Sequence, residues 1–104
     1  MNYKLNIIEP WQSGTESAVE AHIVREKGNQ FLLFVEKNIK VNGENAHYFI
    51  CELKNKEDKI ALKNGVKKVY PINMVFDKNI TTGLQDIPDI DSYRANFLSG
   101  EIII

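Results

Sequence analysis

Asn42-Gly43 stands between two stretches that alternate apolar and polar residues, "NIKV" at 38–41 and "ENAHYFICEL" at 44–53. A type I′ turn needs positive φ at both central residues, and Asn-Gly meets that demand with little steric cost. The pattern predicts a β-hairpin and argues against a helix across 41–53. This matters for chemistry, because His47, Cys51 and Glu52 lie within these residues of a chain with one cysteine and two histidines. On a helix, His47 and Cys51 would be about 5–6 Å apart. On a strand they are about 13 Å apart, too far to share a proton or a metal. Glu52 then points to the face opposite Cys51. With Phe49 and Leu53, Cys51 completes an apolar stripe, so it is expected to be a small buried hydrophobe and not a reactive thiol.

The rest of the chain reads the same way. In "NYKLNII", Tyr3, Leu5 and Ile7 alternate with polar residues, as in a half-buried strand that Pro10 ends. In "AVEAHIVR", Val19, Ala21 and Ile23 share one face, and "EKGN" is a turn. "QFLLFVEK" is apolar on both faces, with Phe31, Leu33 and Val35 on one and Leu32 and Phe34 on the other. Such a strand must be covered twice, or lie in an interface between copies. "DKIALKNG" predicts one or two helical turns capped by Asp58 and Gly65. "VKKVYPINMVF" predicts a strand interrupted at Pro71. "DSYRANFLSG" predicts a short helix with Asp91 as N-cap, Tyr93 and Phe97 one turn apart and Gly100 as C-terminal cap. "EIII" is too apolar for a free tail, and is expected to pair as an edge strand with the chain's own sheet, a second copy being the alternative. Six or seven short strands with one or two short helices imply a mainly β fold, a small, strongly bent antiparallel sheet or barrel of the SH3-like or OB-like kind, with an α+β sheet as the alternative.

With 104 residues and no repeat, linker or low-complexity tract, residues 1–104 are expected to form one globular β-rich domain. One cysteine excludes an internal disulfide framework and fits a reducing, cytoplasmic, bacterial-type setting. No apolar run approaches the roughly 20 residues of a membrane span, and the N-terminus lacks the apolar core of a secretory signal. The net charge of −1 is unevenly placed. Residues 52–76 carry six lysines against three acids, and residues 77–104 carry two bases against five acids.

No catalytic constellation is evident. His22, His47 and Glu20 or Glu52 would resemble a facial metal triad only if their strands were neighbours in the right register. "DIPDID" lacks the glycine and terminal glutamate of a calcium loop, so Asp86, Asp89 and Asp91 read as capping and solvated residues. Lys54, Lys56, Lys59, Lys63, Lys67 and Lys68, beside Tyr70, are the best nucleic-acid signal, since small barrels stack bases on aromatics over a basic groove. The segment has no arginine and is diluted by acids, which favours a solvated loop. Trp11 either plugs one end of a barrel or anchors a partner. The expectation is a non-enzymatic module without cofactor or metal, binding or antagonising another protein in the manner of an immunity or regulatory protein. Trp11, Leu32, Phe34, Tyr70 and the six lysines are its candidate contacts, and Leu32 and Phe34 would line a homodimer if one forms. A nucleic-acid-binding barrel using the Lys54 to Lys68 segment is the alternative, and no membrane partner is expected.

Overall fold

A computed structural model describes residues 2–9, 19–41, 43–76 and 86–104. Its strands are β1 (Asn2–Glu9), β2 (Val19–Lys27), β3 (Gln30–Val41), β4 (Glu44–Leu53), β5 (Val69–Val75) and β6 (Leu98–Ile103). They pair antiparallel in chain order, and β6 returns to β1, so the six strands close into a barrel. The fold is therefore mainly β, with one short α-helix among the described residues, α1 (Asp58–Asn64). No helix among the described residues is long and apolar enough to cross a membrane.

The period-two pattern sorts side chains to the two faces of the wall. Tyr3, Leu5, Ala21, Phe31, Leu33, Val35, Phe49, Cys51, Ile72, Met74 and Ile102 fill the interior. The hairpin expected at 42–43 joins β3 to β4, with Val41 opposite Glu44 and Gly43 at φ 81°; Asn42 lies outside the described residues, as does Pro10. Register shifts between Phe34 and Ile39 and between Ile23 and Arg25 bend the wall, as bulges do.

Four local expectations are corrected. Ile102 and Ile103 belong to a strand paired on both sides, Leu5 and Tyr70 both lying opposite Ile102, so "EIII" is a closing stave and not an edge. Pro71 does not interrupt β5. Its carbonyl accepts from Lys54 N at 3.0 Å, which turns its N toward β4 just past the last ladder pair, Leu53 with Ile72. The missing donor falls where pairing stops, a site that tolerates proline. Asp58 does not cap α1, since Glu57 holds that position without a side-chain bond. Asp58 turns inward, almost fully buried, to meet Lys67 Nζ at 2.7 Å. Gly65 does end α1, left-handed at φ 64°. Residues Ile90–Asn96 form a 3₁₀ segment, capped by Asp89, whose Oδ1 accepts from Asp91 N. Gly100 lies inside β6 and does not cap it.

The double-sided strand β3 finds its two covers in different ways. Its inner residues face the barrel interior, and Leu32 on its outer side joins Ile50 and Val75 beneath Ile87 and Ile90. Residues 86–97 thus strap the outside of β3–β5. At one end of the barrel α1 inserts Leu62 into the interior cluster. Tyr70 reinforces that end, donating to Ala61 O and accepting from Lys67 N, both at 2.8 Å.

Candidate functional site

The expected contacts separate into residues the fold consumes and residues it leaves available. Trp11 lies outside the described residues. Leu32 is 1% exposed beneath the strap, so it serves no partner or second copy. Tyr70 is fully buried, with its hydroxyl doubly bonded inside the chain, and cannot offer a ring to a base. Lys67 is committed to Asp58. Lys68 is exposed beside the C-terminal Ile104, whose N donates to the Lys68 carbonyl at 2.9 Å.

Phe34 is half-buried on the outer wall. It stacks on His22 and on His47, with centroids 6.3 and 6.1 Å away, and tilts against Tyr48 at 5.1 Å. Both histidines are engaged separately. His22 Nε2 meets Glu36 at 3.3 Å, and His47 Nδ1 donates to the Val35 carbonyl at 2.9 Å. The carboxylate at His22 is Glu36 and not Glu20, and no group of three metal-ligating side chains occurs among the described residues. Cys51 is buried, and burial pushes its thiol pKa far above the ordinary value. Asp86 pairs with Lys27 at 2.9 Å, and that hydrogen bond, reinforced by the lysine's charge, holds its carboxyl below the usual range. Asp89 is spent on capping.

Four lysines remain together. Lys54, Lys56 and Lys59 line a cavity of about 140 Å³ with Asn29, Glu52, Leu53 and Asn73. A second cavity of about 70 Å³ shares Asn29, Leu53 and Lys59 with the first, and adds Lys63 at its rim and Ile23, Phe31 and Leu62 in its lining. The two form one groove between the β2–β3 turn and α1. The floor of the smaller cavity is apolar because it lies over the end of the interior that Leu62 plugs. Lys59 Nζ donates to the Gly28 carbonyl at 2.8 Å, and Lys54 Nζ to Ser99 Oγ at 3.4 Å. Both acceptors are neutral, so these contacts tether the ammonium groups without cancelling their charge. Glu52 receives the Asn73 amide at 3.4 Å, and Glu26 is the other carboxylate in the lining. The lysines were legible in the sequence, whereas Asn29 and Asn73 were not, because they reach the groove only through the register that sets Gln30 and Asn73 opposite Glu52 on neighbouring strands.

The chain matches no protein-family model, no curated protein and no solved structure.

Proposed function

We propose that this chain is a small, non-catalytic, cytoplasmic module that binds another protein and thereby blocks or regulates it, with the lysine groove as its contact. The observation that carries the reading is the gathering of Lys54, Lys56, Lys59 and Lys63 around a polar cavity and the apolar-floored one beside it, without a carboxylate bonded to any of them among the described residues. A closed barrel offers no free edge for strand addition, so recognition falls to side chains. Nucleic acid is the poorer fit. Tyr70, fully buried, gives no platform on which a base could stack.

The test compares wild type with the Lys54→Glu/Lys56→Glu variant in cross-linking capture from host extract, alongside retention on single-stranded DNA. A discrete protein species captured by wild type and lost by the variant supports the reading. DNA retention that falls steeply with salt and needs the same lysines would replace it with nucleic-acid binding.

A further inference from the structure

We infer that the partner presents an extended acidic segment with an apolar side chain next to a carboxylate, a step that rests on the protein-binding reading above. The groove is two cavities of different chemistry joined edge to edge. The larger is polar, with Lys54, Lys56 and Lys59 ammonium groups and the Asn29 and Asn73 amides around it. A carboxylate entering it gains charge-assisted hydrogen bonds from donors that neutral oxygens already hold in place at Lys54 and Lys59. The smaller is floored by Ile23, Phe31, Leu53 and Leu62, and suits one aliphatic side chain. Asn29, Leu53 and Lys59 border both, so the two groups that enter must be close neighbours on one segment. Four lysines against Glu26 and Glu52 leave the groove net positive. A purely apolar peptide would leave those ammonium groups desolvated and unpaired, and a purely acidic one would leave the apolar floor wet.

The probe is a fluorescent synthetic peptide alternating Asp or Glu with Leu, titrated by anisotropy. Its controls replace every Leu by Ser, or every acid by its amide, and a single-stranded oligodeoxynucleotide is run beside them. Lys56→Glu should weaken the acidic-leucine peptide by about tenfold or more, since it sets like charge against like. Lys68→Glu, the same charge change outside the groove, should leave binding within about twofold if the long-range field is the smaller term. The serine and amide peptides should each bind roughly tenfold more weakly or worse. Equal binding of the leucine and serine peptides overturns the inference, as does equal weakening by Lys56→Glu and Lys68→Glu. Failure of every peptide also overturns it, yet leaves the wider reading intact if the Lys54→Glu/Lys56→Glu variant still loses a captured protein. Oligonucleotide binding that Lys56→Glu abolishes defeats both.

Discussion

Two apolar clusters among the described residues share strands β3–β5 and are closed by different means. The interior draws on all six strands and on Leu62 of α1, and each contributing strand is hydrogen-bonded on both sides. The outer cluster takes Leu32, Ile50 and Val75 from the same wall but is covered by Ile87 and Ile90, from a segment outside the ladders. That cover is fastened by side chains. Lys27 Nζ bonds Asp86 and the Ile87 carbonyl, and Gln30 donates to the Pro88 carbonyl and accepts from Ile90 N at 2.7 Å. The interior should therefore open only by breaking the barrel, whereas the strap should lift while the barrel persists. Local stability should differ accordingly.

The largest effect should come from breaking closure. Deleting residues 102–104 removes Ile102 from the interior and the ladder pairs of Ile102 and Ile103 with both β1 and β5. A buried Ile→Ala change alone costs about 2–5 kcal/mol. Added to lost pairing on two sides, the deletion should consume most of the roughly 5–15 kcal/mol that holds a domain of this size. The deletion variant should show no cooperative urea transition, and Ile102→Ala should keep one at a lower midpoint. Unchanged melting of the deletion variant would show that the barrel does not depend on its last strand.

The strap is the second target. Ile90→Ala empties a site of 1% exposure, but its lining includes a segment free to settle inward, so the cost should sit near the low end, about 2 kcal/mol. Its signature should be local. Amide exchange should accelerate in residues 87–97 while β3–β5 core amides keep their protection. Uniform acceleration across strap and barrel would mean that the two clusters form one cooperative unit, and would erase the contrast.

The strands were readable because a half-buried wall imposes period two, and Tyr3, Leu5, Ala21, Phe31, Leu33 and Val35 obey it. The two-sided run around Leu32 showed that a second cover must exist, but not which segment supplies it, since periodicity carries no information about distant partners. A barrel was among the expectations, but which strands close it was hidden for the same reason, so "EIII" looked like an edge. Asp58 and Tyr70 misled through composition. An acid at a helix start resembles a cap, and a tyrosine among lysines resembles a binding platform, until Lys67 and the Ala61 carbonyl claim them from inside. Of the groove, only its lysines could be seen in advance.

Cys51 offers a probe of the interior alone. It is fully buried, its Sγ 3.8 Å from the Phe49 carbonyl, and desolvation opposes the thiolate that would react. Its labelling by a disulfide reagent should be slow in the native protein and fast in urea. Ile90→Ala should barely change the native rate if the strap opens independently, whereas Ile102→Ala should raise it sharply. Cys51→Ala should cost only about 1 kcal/mol, because one small atom is removed. Rapid native labelling would show an interior more open than the closed ladder allows.

The smallest expected effect is a pH dependence confined to the strap. Lys27 lowers the Asp86 pKa in the folded state, so the fold favours the ionised carboxylate. The resulting stabilisation is fully present above the unfolded value of about 3.9, and is lost as pH falls through the lower folded value. Below about pH 4, then, protonation of Asp86 should release one of the strap's fasteners. Both partners are largely in water, with Lys27 51% and Asp86 78% exposed, so solvent and salt screen the pair. Amide exchange of Ile87 and Ile90, corrected for its intrinsic pH dependence, should rise modestly on acidification, and less so in high salt. Asp86→Asn should show the raised rate at neutral pH and lose most of the dependence. The β3–β5 core should not respond in either protein. An acid response that survives in Asp86→Asn would assign the fastening to another group, and one that spreads to the core would again join the two clusters into a single unit.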